Sequence, residues 1–274
     1  MGSGHGDDHG HGGASGYAVA ALGIFILMYV AGMMGRPAVD KPIVHRGVAG
    51  PGYSEALPAR GPSDAAVVIH EVADFKCRYC MLRTGLIKRL LGEHRDVQFV
   101  FKHFPFVSPV SSEKAAVAAM AANRQGKFFE YADLLFLNQS DRWTKDQLIG
   151  YATTLGLDTK RFAEDLRDPA LRVYVRKDKA AAESLEVRAT PTLFINGVKV
   201  PNNATPAEIR EMILAAKRQV KGILAGPEAS NVWEARERAA AINHPSGESF
   251  ARLYMRNDVE DLNVTLGVPF DNVE

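Results

Sequence analysis

The sequence predicts an α/β fold enlarged by a helical insertion and preceded by one N-terminal transmembrane helix. Three observations predict it. An apolar run, YAVAALGIFILMYVAGMM, begins at Tyr17 and meets no charge until Arg36. A short β-branched run, Ala65 to Val72, leads through Asp74-Phe75-Lys76 into Cys77-Arg78-Tyr79-Cys80 and then into helical spacing. Finally, a long and mostly helical stretch separates the strand ending at His103 from a strand–Asn-Gly–strand unit at 192–200.

Residues 1–16 are rich in Gly, His and Asp and show no apolar periodicity, so disorder is expected there in isolation. His5, His9 and His11 could offer ligands to a borderline divalent metal, but a solvated tail is the simpler reading, and no metal or cofactor is assigned. The apolar run is read as an anchor at 17–35, because about 18 to 20 such residues cover a bilayer core of roughly 30 Å. It lacks the polar face of a core helix, and no Lys or Arg precedes it as in a signal peptide. Arg36, Lys41 and Arg46 follow it while Asp7 and Asp8 precede it, a bias that favours a cytoplasmic domain. Residues 36–62, with Pro37, Pro42, Pro51, Pro58 and Pro62, read as an extended linker.

The domain spans 63–222. Ala65 to Val72 reads as a buried strand. Met81 to Leu91 reads as a helix, with Leu82, Leu86 and Leu90 on one side. Val97 to His103 alternates as a strand. Helices follow from about 111 to 186. Thr144 with Gln147 forms a capping box, and Asp158 after Gly156 marks another helix start. Thr192–Ile195 and Val198–Val200 are joined by Asn196-Gly197, a strong hairpin signal. Thr205-Pro206-Ala207-Glu208 opens a last domain helix to about Lys221. Residues 223–274 form an extension in which Trp233 to Ile242 suits one helix. The rest of it suits packing along a partner or along its own domain. Phe99, Phe101, Phe104 and Phe106 read as core at a strand edge.

The chain has 274 residues, 46% of them hydrophobic, and a net charge of +1. Nucleic acid is therefore set aside as the main partner, since phosphate binding draws on a surplus of Lys and Arg. Only two cysteines are present, one turn apart, where a disulfide-stapled scaffold would spread more. Cys77 falls between a strand and a helix, so free N–H groups at the helix N-terminus favour its thiolate. Cys80 is close enough to close a disulfide with it, and Arg78 adds a nearby positive charge. A zinc site is the alternative, with His94 following at a finger-like interval. His103 then fails, because eight residues (95 to 102) lie between the histidines where a finger has about three to five. Thr190-Pro191 allows two readings: a proline opening a strand, or a cis-proline beside the cysteines. Since roughly one X-Pro bond in twenty is cis, the proline alone does not choose.

Asp74-Phe75-Lys76-Cys77-Arg78-Tyr79-Cys80, with Thr190-Pro191 before the hairpin, resembles the DsbA-like branch of the thioredoxin superfamily. The interval between His103 and Pro191 is long enough for that branch's helical insertion, here about 108–187, and Lys114 to Leu137 is similar to its first inserted helices. The resemblance covers about 63–222. It implies a thioredoxin fold with an inserted helical domain and a protein disulfide oxidoreductase activity. It also implies Cys77 as the exposed attacking cysteine, Cys80 as the buried resolving one, and Thr190-Pro191 as the substrate-side loop; Arg78 and Tyr79, between the cysteines, are read as tuners of the potential. The Arg78-Tyr79 pair departs from the Pro-His of the best-known oxidases, so a very oxidising potential is not implied.

The expected function is oxidation of client protein thiols, with a membrane redox partner that reoxidises Cys77–Cys80. That role places the domain on the extracytoplasmic (periplasmic) side of a single-pass inner-membrane anchor, where disulfides persist. This opposes the charge flanks, and the family location is given more weight. Two alternatives use the same residues: a reductase or isomerase fed from the membrane, and an accessory subunit of a larger membrane complex.

Overall fold

The computed structural model describes residues 55–139, 142–256, 258 and 260–264. The His-rich head at 1–16, the apolar run at 17–35 and the linker through residue 54 lie outside the described residues, as do 265–274. Among the described residues no helix is long and apolar enough to cross a membrane.

The sheet grows from the β-branched run before the cysteines. Val67–Ala73 forms β2, buried along its whole length because helices cover both of its faces. Its parallel neighbour β3 (Val97–His103) sets Phe99 opposite Ile69 and Lys102 opposite Val72. The crossover between them is α1 (Arg78–Glu93), which starts directly at the cysteine motif. On the other side β4 (Thr192–Ile195) runs antiparallel to β2, and β5 (Val198–Lys199) turns back through Asn196 and Gly197, both at positive φ. Asn-Gly suits that turn because its two central residues must be left-handed.

A short β1 (Ala59–Arg60) completes the order β1-β3-β2-β4-β5. It was not expected. The last residues of the stretch read as linker are part of the domain, since Ala59 faces Val100 and Phe101 donates its N–H to the Pro58 carbonyl at 3.0 Å. A proline can serve there because the bond uses only its carbonyl.

The insertion comprises α2 (Pro109–Arg124), α3 (Phe128–Leu137), α4 (Lys145–Thr154), α5 (Thr159–Asp165) and α6 (Pro169–Ser184). Along α2 every residue from Ala115 to Ala122 is buried, six of them alanines whose small side chains let helices approach on all sides. Thr144 and Gln147 cap each other at the start of α4, and Asp158 caps α5 by accepting from the Arg161 N–H. The same reciprocal box, Thr205 with Glu208, opens α7 (Pro206–Leu224).

The extension packs on its own domain. It forms α8 (Val232–Asn243), a short α9 (Gly247–Phe250) and a π-helical turn at Ala251–Met255. Phe250 and Tyr254 lie against His70 and Phe194, and His70 Nε2 sits 3.1 Å from the Tyr254 carbonyl. Arg236 donates to the Ala65 carbonyl, and Asn243 Nδ2 to the Asn196 carbonyl at 2.9 Å. At Gly197 a Cβ would stand 2.5 Å from the Ala240 oxygen, so the hairpin tip and α8 meet backbone to backbone. Phe99, Phe101 and Phe104 are core as expected, whereas Phe106 is exposed, because the chain has left β3 and started its turn toward α2.

Candidate functional site

Cys77 is the N-cap of α1, with extended backbone angles. The strand-to-helix turn that carries it is held by Asp74. The Asp74 carbonyl accepts from the Cys77 N–H at 2.9 Å, and its Oδ1 from the Lys76 N–H at 2.8 Å. Asp74 Oδ2 accepts from Phe106 and Val107 N–H at 2.8 and 2.7 Å, tying the segment after β3 to the redox loop. A carboxylate accepting several backbone N–H groups is a strong anchor.

Facing the sulfur is the segment before β4. The Thr190–Pro191 peptide bond is cis, and Cys77 Sγ lies 3.3 Å from the Thr190 carbonyl, to which it donates when it carries its proton. Thr192 Oγ1 closes the turn on the Ala189 carbonyl at 2.8 Å. The cysteine motif and Thr190-Pro191, distant in sequence, are thus in direct contact.

The two thiols are unlike. Cys77 is brought down from its ordinary value to about 6, chiefly because the Cys80 thiol donates to it. Burial opposes that, while Thr190 and the N–H groups of Cys80 and Tyr79 assist. Cys80 moves far upward, first through burial, then through its bond to Cys77 and the charge of Glu71. At neutral pH the pair therefore holds one negative charge, on Cys77, and one proton, on Cys80. Both residues are buried, Cys77 being 5% exposed and Cys80 1%, so the resemblance's exposed attacking cysteine stands only slightly nearer to solvent than its partner.

Arg78 is exposed, where water screens its charge. Tyr79 acts on Cys77 through its backbone N–H, while its ring stands in solvent. Leu82, Phe106, Val107 and Val110 are also exposed, so large apolar side chains mark both segments that Asp74 joins.

Glu71 was missed by the sequence reading. It is fully surrounded on β2, its Oε1 has no hydrogen-bond partner, and burial pushes its carboxyl up to about 8. Arg83 pulls in the opposite direction, and Cys77 adds a further upward push. A small cavity of about 40 Å³ adjoins it, lined by Arg60, Lys88, Phe101, Phe129 and Phe136 among others. The available signal was one acid, beside His70, in a β-branched strand six residues before Cys77.

The zinc alternative does not assemble. His94 caps the far end of α1, about 21 Å along the helix from Cys80 at 1.5 Å per residue. Among the described residues no group of three or more His, Cys, Asp or Glu could hold a metal ion.

The family described as Thioredoxin matches residues 54–215. The chain is 34% identical over 200 residues to a Na(+)/H(+) antiporter NhaA of Herminiimonas arsenicoxydans, covering 72% of this chain and 31% of that protein. It is 39% identical over 140 residues to Na(+)/H(+) antiporter NhaA 1 of Salinispora arenicola, covering 50% and 21%. The chain thus spans less than a third of the length of these curated relatives. Among solved structures it is similar to BdbD from Bacillus subtilis in its oxidised form, with TM-score 0.55 and 24% identity over 64% of this chain and 100% of that one. A thioredoxin-like oxidoreductase from Silicibacter pomeroyi gives 0.54 and 24%, over 59% and 92%. The thiol-disulfide exchange protein alpha-DsbA2 from Wolbachia pipientis gives 0.53 and 19%, over 58% and 86%. These structural likenesses bear on the fold.

Proposed function

Because the chain belongs to the thioredoxin family, we propose that it is a thiol–disulfide oxidoreductase of the DsbA type that oxidises client protein thiols through a Cys77–Cys80 disulfide. The asymmetry of the pair carries this reading: one thiol is lowered to about 6 at a helix N-terminus and its neighbour is kept protonated. A stabilised thiolate favours the reduced form and so makes the disulfide a better oxidant.

In the reaction a client thiolate attacks the sulfur of Cys77. The S–S bond breaks, a mixed disulfide forms, and Cys80 leaves as a thiolate. Cys80 takes up a proton, for which Glu71, protonated up to about pH 8, is the buried source beside it. A second client thiolate then attacks the client sulfur of the mixed disulfide and expels Cys77, whose low proton affinity makes it a good leaving group. Two client thiols are oxidised, and the pair has gained two electrons and one proton, with Cys77 left as a thiolate and the client's remaining proton released to solvent. A membrane redox partner takes the two electrons away again. Thr190-Pro191 borders the client's approach, with the Thr190 carbonyl at the sulfur. Residues 17–35 supply the anchor, and the domain works on the extracytoplasmic side, where disulfides persist.

The test is the potential of the pair, measured on the full chain in glutathione buffers. A value above about −180 mV supports the oxidase, whereas one near −270 mV makes the chain a reductase. A second reading, a redox domain working beside a membrane transporter, is supported by the 200-residue match to an antiporter. Stoichiometric co-purification with a large membrane protein after gentle detergent extraction would favour it.

A further inference from the structure

An N-cap position is normally filled by Ser, Thr, Asp or Asn, whose side chain accepts from the first turn and fixes the helix entry. At α1 that position is Cys77, whose sulfur closes no cap bond of normal geometry, although the Tyr79 and Cys80 N–H groups favour its thiolate. Redox chemistry requires the sulfur there; Asp74 holds the N–H groups of the entry, and a further group holds its carbonyls.

That group comes from the insertion. Gln139, just beyond α3, donates Nε2–H to the Phe75 carbonyl at 2.6 Å and to the Cys77 carbonyl at 2.9 Å. One amide therefore bridges the carbonyls on both sides of Lys76. The contact is reciprocal, because Lys76 Nζ donates to the Gln139 backbone carbonyl at 2.6 Å. The Lys76 ammonium also lies 4.2 Å over the ring of Trp143, which is fully buried and at positive φ. The Cys77 carbonyl accepts in addition from the Met81 N–H at 3.2 Å, the first helical bond of α1. The orientation of the first turn is thus set at the Cys77 carbonyl by one helical donor and one donor from the insertion.

We propose that Gln139 is a positioning residue for the redox step: by holding the Phe75 and Cys77 carbonyls it keeps the first-turn N–H groups of α1 directed at the Cys77 sulfur and occupies carbonyl lone pairs that would otherwise repel a thiolate. The inference rests on Cys77 being the working thiolate. It makes the reactivity of Cys77 depend on how the insertion is seated, so a client that displaces residue 139 also weakens the nucleophile.

The test compares the reduced full chain with Gln139→Ala, Gln139→Glu and Asn138→Ala. Cys77 ionisation is followed by thiolate ultraviolet absorbance and by the pH dependence of alkylation. Gln139→Ala should move the ionisation midpoint upward and slow alkylation at pH 5 by about three- to tenfold, since the rate follows the thiolate fraction. Gln139→Glu, which cannot donate when ionised and brings a negative charge, should move it further. Asn138→Ala loses only a local bond to the Leu134 carbonyl and should leave the midpoint in place. If Gln139→Ala does not fold, Gln139→Met keeps the length without the donors and carries the same comparison. A wild-type midpoint near 6 that Gln139→Ala leaves unmoved overturns the proposal, as does an equal shift in Asn138→Ala. A wild-type midpoint at the ordinary thiol value strikes the oxidoreductase reading itself.

Discussion

Lys102 Nζ lies 3.2 Å from Asp178 Oδ1 with both side chains closed to solvent, so a buried salt bridge joins β3 to the last helix of the insertion. Asp178 Oδ2 also accepts from the His103 N–H at 2.9 Å, and the Lys102 ammonium lies 5.2 Å from the Tyr254 ring. Sheet, insertion and extension thus meet at one buried charge pair.

Breaking such a pair from one side is far more damaging than replacing it whole. Asp178→Leu should lower unfolding stability by about 3–5 kcal/mol, because the Lys102 ammonium loses the carboxylate it faces. Lys102→Met combined with Asp178→Leu should recover much of the loss. Urea unfolding of the two variants checks this, and a double variant as weak as the single one would refute it.

Glu71 makes stability depend on pH in a direction opposite to most carboxylates. Its folded value of about 8 lies above the ordinary carboxylate range, so between roughly pH 4.5 and 8 the folded chain holds a proton that the unfolded chain has released. Stability should therefore fall as pH rises through that window, by about a few kcal/mol in all, and level off above it. Reduced Cys77 contributes with the reverse sign, because its folded value is depressed and its thiolate stabilises the fold as pH rises from about 6 toward the ordinary thiol value. The measurement is best made on the disulfide form, where Cys77 does not titrate. Glu71→Gln should flatten the profile and be more stable than the parent at pH 8.

The cysteines should separate cleanly by reaction. Alkylation of the reduced chain should modify Cys77 with a midpoint near pH 6 and spare Cys80. Cys80→Ser should accumulate mixed disulfides when offered disulfide-containing partners such as oxidised glutathione, the displaced thiol leaving, since the resolving thiol is gone, whereas Cys77→Ser should form none. Non-reducing electrophoresis with mass spectrometry reads the outcome, and adducts on Cys80 in place of Cys77 would reverse the assignment.

The extension should be integral to stability. Phe250 is fully buried among His70, Phe194, His244 and Tyr254. Phe250→Ala should lower stability by about 3–5 kcal/mol, the range for a core aromatic. The same variant should leave Cys77 ionisation unchanged, because the cysteines lie elsewhere on the sheet. An unfolding midpoint equal to the parent's would mean that the extension is only loosely applied.

The sequence by itself determined what depends on neighbours along the chain. The run before Cys77 had to be a strand, Thr144, Asp158 and Thr205 had to start helices, and Asn196-Gly197 had to turn. The cysteine pair had to sit at a strand-to-helix junction. Each follows from local backbone preference or from side chains three or four residues apart. Even the insertion was legible, as an interval too long for one helix and one strand.

Only the tertiary structure decided what those side chains face. Glu71 is one acid in an apolar run until β2 packs and turns it inward, away from water and toward the cysteines. Gln139 is an ordinary loop residue until its amide meets carbonyls more than sixty positions earlier. Ala59–Arg60 has no strand pattern of its own and is extended because β3 offers it an edge. The extension could have covered a partner, and the close approach of Gly197 to Ala240 joins it to its own hairpin. In each case residue type was written locally, but desolvation and hydrogen bonding depend on partners that only the folded chain brings within reach.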